Sequence, residues 1–328
     1  MEQSIRHAHA AGKLKDLHAV LVQRHGVPLA ELYFPGEDER RGAFLGLVEN
    51  HAERLHDVRS VTKSIVGLLY GIALDDGLVP GPDAPLLDQF PEYSDLAADP
   101  ARRQWRIRDA LTMQMGTEWN ETLSYANPRN SETAMDHAGD GFRYALDRPL
   151  VAPPGRDWCY NGGATSLIGE VIRRGSGQPI DTFARERLFT PLGIDAFEWI
   201  DGQNGMPSAA SGLRLTARSM ARIGQLVLEG GAAGGRRIVS ADWLARSTAP
   251  QAQTSDEPRY GFFWWLAPDG DPPDWIAAFG NGGQRLMIVP WLDLVMVVLA
   301  GRYNDWEAWN LPVALFTEHV LPAVRSGA

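Results

Sequence analysis

Asp57-Val58-Arg59-Ser60-Val61-Thr62-Lys63-Ser64 sets a serine three residues before a lysine at the head of an apolar helical pattern. Val61, Ile65, Leu68 and Ile72 recur at helical spacing, and Asp75-Asp76-Gly77 supplies a stop, so the spacing predicts a buried helix from about Ser60 to Asp76. Ser60 and Lys63 then share a face. An amine one turn from a hydroxyl can accept its proton if burial keeps the amine partly neutral. A helix start also offers unpaired backbone N–H groups and a positive dipole end to a developing oxyanion. Only Lys13, Lys15 and Lys63 are lysines among the 31 basic residues, the rest being arginine. Arginine stays protonated, so a lone lysine in an arginine-using chain marks where a base is wanted. The competing reading is a chance pair on a core helix, with Lys63 reaching solvent.

With 328 residues the chain can bury a large core, and its length suggests two lobes. A net charge of −10, with no basic run longer than Arg102-Arg103 or Arg236-Arg237, argues against nucleic acid and anionic membrane as partners. Cys159 is the sole cysteine, which excludes an intramolecular disulfide and a cysteine-based zinc site. His51 and His56 lie close in sequence without an evident third ligand, so they read as solvated loop residues, and no metal or cofactor is expected. The first residues lack the apolar core of a signal peptide, which points to the cytoplasm. Pro290 and Asp293 interrupt the apolar run Leu286–Ala300, which reads as two strands rather than a membrane span.

Ala19–Val22 and Ala30–Phe34 flank a Gly/Pro turn and read as paired strands, followed by a loop over about 35–56. The middle of the chain is mostly helical: Ile107–Met113, Ala164–Arg174, Ile180–Leu188, Leu213–Glu229 and Ser240–Ser247 fit helices, whereas Asn127–Asp140 is polar and weakly patterned. Tyr260–Trp265, Trp275–Phe279, Arg285–Val289 and Leu294–Ala300 have strand composition, and a closing helix runs from about Asp305 to Arg325. Neither terminal set of strands is stable alone, so both are expected in one sheet. The expected class is α+β: an antiparallel sheet flanked by helices, built from residues 14–76 and 248–328, with a mostly helical lobe of residues 77–247 inserted and a cleft between them.

Three separated stretches, the Ser60 helix, Trp158-Cys159-Tyr160-Asn161-Gly162-Gly163 and Gly280-Asn281-Gly282-Gly283-Gln284, together resemble the serine beta-lactamase and penicillin-binding-protein superfamily. The Ser-x-x-Lys element is a known signature of that group. Within it the chain is most similar to the class C-like branch, with family VIII carboxylesterases and 6-aminohexanoate-dimer hydrolases. Leu111-Thr112-Met113-Gln114-Met115-Gly116, Phe189-Thr190-Pro191-Leu192-Gly193-Ile194 and Tyr260–Trp265 add to the likeness, which spans nearly the whole chain. The resemblance implies Ser60 as nucleophile, Lys63 and Tyr160 as its proton partners, and an oxyanion hole from the backbone N–H groups of Ser60 and Gln284. It implies substrate contacts at Asn281, Gly282, Gly283 and Asn161, and Trp119, Tyr125 and Trp265 read as further candidates for the cleft wall.

Two departures bear on substrate. Gly162 stands where the family's tyrosine motif carries asparagine, and Asn281-Gly282-Gly283 stands where the lactamases carry Lys-Thr-Gly, so no cation occupies that turn. The expected activity is therefore a serine hydrolase acting on small or linear esters or amides through a Ser60 acyl-enzyme. The alternatives are a beta-lactamase or D-alanyl peptidase, and a non-catalytic binding protein on the same fold.

Overall fold

The Leu294–Ala300 strand is buried along its whole length and pairs antiparallel with Leu17–Arg24, from Ala19 opposite Leu299 to Arg24 opposite Leu294. This pairing joins the two ends of the chain at the centre of one sheet. From edge to edge its eight strands run Ala252–Gln253, Arg259–Tyr260, Trp265–Leu266, Ile276–Gly280, Gln284–Val289, Leu294–Ala300, Leu17–Arg24 and Val27–Tyr33, each antiparallel to the next. The computed structural model describes residues 1–270, 272 and 274–327.

Alternation along the central strands gives the sheet two apolar faces. Val20, Val22, Met296 and Val298 face the closing helical run and the N-terminal helix Glu2–Ala10, where Ile5, Leu315 and Val320 meet them. Ala19, Leu21, Val295, Val297 and Leu299 face the other way, into the larger core that holds the Val61–Asp75 helix. The Ala217–Leu228 helix covers this second face, against Gln284–Val289, Leu294–Ala300 and Leu17–Arg24, although its sequence falls within the stretch read as the helical lobe.

The paired terminal strands, the closing strands, the serine helix and the helix Gly162–Ser176 form where the residue pattern placed them. Four segments differ. Residues 36–48, read as loop, form a two-stranded hairpin of Gly36–Arg40 and Ala43–Val48, whose charged first strand hides the alternation. Leu213–Leu215 is not the start of a helix but a strand between His56–Asp57 and Glu198–Trp199, because Thr216 caps the helix behind it by accepting from the Ser219 N–H. Asn127–Asp140 contains the helix Ser131–Asp136, capped by Asn130. Tyr260–Trp265 is broken by Phe263, whose φ of 61° turns the chain. Among the described residues no helix is long and apolar enough to cross a membrane.

Apolar residues close almost every position of the serine helix, and Gly71 admits a tryptophan to its side. Trp243 Nε1 donates to the Gly67 carbonyl at 3.0 Å, and a Cβ on Gly71 would lie 2.0 Å from Trp243 Cδ1. Gly71→Ala should therefore overpack this contact and cost about 1–3 kcal/mol in urea unfolding, with the m-value unchanged. A stability equal to that of the parent would show that Trp243 does not fix the helix.

Candidate active site

Ser60 caps the Val61–Asp75 helix with its backbone at φ −69° and ψ −4°, and the residue before it, Arg59, takes a positive φ of 50°. A left-handed conformation costs a non-glycine residue about 1 kcal/mol or more, so something must hold Arg59 there. Its guanidinium donates to Glu39 at 2.9 Å and lies 4.5 Å from the centroid of the Tyr303 ring. Tyr303 in turn donates to Asp38 at 2.8 Å.

Behind Tyr303 lies a closed polar cluster. His18 Nδ1 and His56 Nε2 are 2.9 Å apart, and His56 Nδ1 is 3.0 Å from the Asp57 carbonyl. The carbonyl fixes a hydrogen on Nδ1 of His56, which leaves its Nε2 to accept from His18. Asp38 accepts from Tyr303, from the Glu39 N–H and from Arg54. His56 is thus a core residue and not the solvated loop histidine that the sequence suggested, because the hairpin 36–48 folds Asp38 over it. The ligand atoms of His18, Asp38 and His56 lie within 4.8 Å of one another, the one such group found among the described residues, and hydrogen bonds engage His18 Nδ1, His56 Nε2 and both Asp38 oxygens while His18 Nε2 has no partner among those residues. Burial lowers both imidazoles, His18 to about 4, so the cluster is neutral on the histidine side at physiological pH.

Lys63 is 1% exposed, and its Nζ lies 3.2 Å from Ser60 Oγ, 2.9 Å from the Ala210 carbonyl and 3.4 Å from Glu132 Oε2. Burial pulls this amine toward neutrality, as expected, but Glu132, Tyr160 and Glu121 together outweigh it and raise the lysine above its ordinary value. The resting group is an ammonium, which corrects the expectation of a partly neutral base. Burial would raise the Glu132 carboxyl, and Lys63 beside it together with the Ser211 hydroxyl at 2.8 Å holds it low instead.

Tyr160 lines the same cavity as Ser60, and its ring centroid lies 5.0 Å from Lys63 Nζ. Burial raises this phenol and the Lys63 charge opposes the rise. Next to it, Asn161 does not contact the cleft. Its side chain caps the helix Gly162–Ser176, accepting from the Ala164 N–H at 2.9 Å and facing Thr117 at 3.4 Å, so its assignment as a substrate contact is corrected.

Gly162 explains the missing family asparagine. A Cβ built there would lie 2.2 Å from Glu132 Oε2 and 3.1 Å from Glu121 Oε1, so two carboxylates occupy the space of a side chain. Glu121 accepts from the Gly162 N–H, from Trp119 Nε1 at 2.6 Å and from Tyr125 at 2.8 Å. Burial, then repulsion from Glu132, raises Glu121 to about 7.

The serine opens into a cavity of about 440 Å³ lined by Trp119, Tyr125, Trp158, Tyr160, Trp265 and Phe279 and by the turn Gly280–Gly283. Tyr160, Trp265 and Phe279 stack in sequence, with ring centroids 5.9 Å and then 4.8 Å apart. Trp119, Tyr125, Trp265, Asn281, Gly282 and Gly283 thus meet Ser60 in one cavity, as expected. Gln284 does not line it: its side chain turns into the sheet and bonds the Ala300 backbone, which leaves only its N–H as a contribution to the site. The turn holds no cation, since Asn281 bonds Asn304, yet Arg285 lines the same cavity.

The sequence reading missed Glu121, Glu132 and Arg285. Nothing in a polar stretch separates a buried acid from a solvated one. For Glu132 the usable signal was the glycine at 162, which asks what fills the vacated space.

The beta-lactamase family model matches residues 13–308. A 6-aminohexanoate-dimer hydrolase of Paenarthrobacter ureafaciens is 27% identical over 334 residues, covering 93% of this chain and 79% of that protein. A Bacillus anthracis structure provisionally named a 6-aminohexanoate-dimer hydrolase superposes with a TM-score of 0.79 at 18% identity, covering 97% of this chain and 82% of that one. The structure of a family VIII carboxylesterase does so with a TM-score of 0.70 at 18% identity, covering 96% and 95%. With Lys63 set against Ser60 at the head of the buried helix and the family model spanning most of its length, this chain belongs to the beta-lactamase family of serine hydrolases.

Proposed function

We propose that the chain cleaves ester or amide bonds of small or linear acyl substrates through a covalent Ser60 intermediate, in a cleft between the sheet lobe and the inserted helical lobe. The observation that carries this reading is the approach of Lys63 Nζ to Ser60 Oγ at 3.2 Å, with the Tyr160 ring centroid 5.0 Å from the same Nζ in the cavity that Ser60 lines. The names of the amide-cleaving and ester-cleaving relatives support the bond type.

In the first step Ser60 Oγ bonds to the substrate carbonyl carbon and gives up its proton. Because Lys63 is held as an ammonium, the acceptor is the Tyr160 oxygen in its phenolate form, which the adjacent positive charge favours and burial opposes. The same proton passes to the leaving oxygen or nitrogen as that bond breaks. Water then attacks the acyl-enzyme by the reverse exchange and frees the acid and Ser60. The oxyanion rests on the N–H groups of Ser60 and Gln284. Glu132 positions Lys63, and Glu121 sets the charge around both.

Ser60→Ala should lower turnover of 4-nitrophenyl butyrate by on the order of 10³-fold or more, and a fluorophosphonate should label Ser60 in the parent protein. Undiminished hydrolysis in the variant would exclude Ser60 as nucleophile.

The charge on Lys63 can be read without turnover, because the chain has only three lysines, Lys13, Lys15 and Lys63. In ¹³C-lysine NMR of the parent, the Lys63 Cε signal should stay that of a charged amine above the ordinary range of a lysine. Its neighbours in space are Glu132, Glu121 and Tyr160, and Glu132 also faces Arg41. Glu132→Gln removes the nearest negative charge, so the Lys63 midpoint should fall by about one pH unit or more. An unmoved midpoint would remove Glu132 from its assigned place.

A further inference from the structure

His18, Asp38 and His56 are all buried and bring their donor atoms within 4.8 Å of one another behind the nucleophile. His18 Nδ1 and His56 Nε2 are 2.9 Å apart, and His56 Nε2 lies 3.5 Å from Asp38 Oδ1. Two ligands of a tetrahedral zinc ion, each about 2.0–2.1 Å from the metal, stand roughly 3.3 Å from one another, so the observed spacings bracket what such an ion requires. The Tyr303 hydroxyl supplies a fourth oxygen, 2.8 Å from Asp38 Oδ1, and its ring stacks on that of His56.

The surrounding groups prepare these atoms as ligands. His56 Nδ1 donates to the Asp57 carbonyl at 3.0 Å, which leaves a lone pair on Nε2, and Arg54 holds Asp38 Oδ2 so that Oδ1 faces the histidine. Outer partners of this kind fix the tautomer and orientation of metal ligands. Burial keeps both imidazoles neutral at physiological pH, so no proton competes with a metal for them. With its Nδ1–H donated to His56, His18 keeps a buried Nε2 that has no partner among the described residues and is closed in by Gly36 and Gly301. Moving that hydrogen to Nε2 frees Nδ1 as a ligand, and the single hydrogen bond given up is replaced by bonds from both imidazoles to the ion.

We propose that His18 Nδ1, His56 Nε2, Asp38 Oδ1 and the Tyr303 oxygen bind a Zn²⁺ ion as a closed structural site. Paired imidazoles beside paired oxygens select zinc over magnesium or calcium, which take oxygen ligands. Tyr303 gives its proton to solvent on binding, so the dication, the Asp38 carboxylate and the phenolate sum to zero charge in a place closed to water. The negative oxygen strengthens the hold of the Tyr303 ring on the Arg59 guanidinium, 4.5 Å from its centroid, and with it the left-handed backbone that presents Ser60. Protein atoms fill every coordination position, so the ion takes no part in bond cleavage. The site stands on the cluster alone and is independent of the hydrolase reading.

The test measures the metal itself. Expressed in zinc-supplemented medium, passed over a chelating resin and assayed by atomic emission, the parent should retain about one zinc per chain. Protein grown with Co²⁺ in place of zinc should show the intense visible bands of four-coordinate cobalt, which loose surface binding does not give. Asp38→Asn and Tyr303→Phe should each weaken zinc by about tenfold or more in competition with a chromophoric chelator, whereas His51→Ala, on the exposed loop, should leave it unchanged. His18→Phe should abolish the cobalt bands, and if that variant does not fold the two near-isosteric changes decide alone. Zinc should raise the melting temperature of the parent by about 5 °C or more, and that of Asp38→Asn by less. A parent with no zinc above the buffer blank and no cobalt bands would overturn the site, as would zinc held equally by the parent, Asp38→Asn and Tyr303→Phe.

Discussion

A full positive charge on Lys63, held almost out of contact with water, is the constraint around which this active site is built. Moving an ammonium into such a place is costly unless oxygen atoms replace its hydration. Here they come from four separate parts of the chain: Ser60 at the helix start, the Ala210 carbonyl, Glu132 and, through its charge, Glu121. The loop carrying Ala210 and Ser211 is tied in turn to the helix, since the Leu213 N–H donates to Thr62 and the Val58 N–H to the Leu213 carbonyl. The short strand Leu213–Leu215 thus belongs to the lysine's coordination as much as to the fold.

The nucleophile is held from its other side by a second chain of contacts. Arg59 in its left-handed conformation is clamped by Glu39 and Tyr303, Tyr303 by Asp38, and Asp38 by the buried histidine cluster. The hairpin 36–48 supplies two of these groups. Its exposed Phe44 and Leu47 give it little burial of its own, so the polar contacts at its base are what join it to the molecule. The backbone angle that presents Ser60 is therefore set by residues distant in sequence.

Legibility in the sequence followed the strength of local pattern. Ser60, Lys63 and Tyr160 lie in segments with clear signals, an apolar helix with a defined start and an aromatic loop before a second helix, and the structure brings them close together. The central strands were equally plain because their period is carried by valine, leucine and isoleucine. Glu121 and Glu132 left no such trace, since the property that matters, burial of an acid, comes from tertiary packing around Gly162. The protonation of Lys63 was misjudged for the same reason. Burial was foreseeable from the helix, and the carboxylates that reverse its effect were not. Asn161 illustrates the opposite error, in which a residue beside the right tyrosine serves the helix and not the substrate.

The contact between Gly162 and Glu132 also constrains how such a site can change over generations. With 2.2 Å between Glu132 Oε2 and the place of a Cβ, a side chain can be gained at 162 only if the one at 132 has already shortened, and shortening 132 first strips the lysine of its closest counter-charge. Either order passes through a damaged intermediate. Relatives on the two sides of that barrier should differ at both positions together, so an unrelated-looking pair of substitutions far apart in the chain would mark a single branching event.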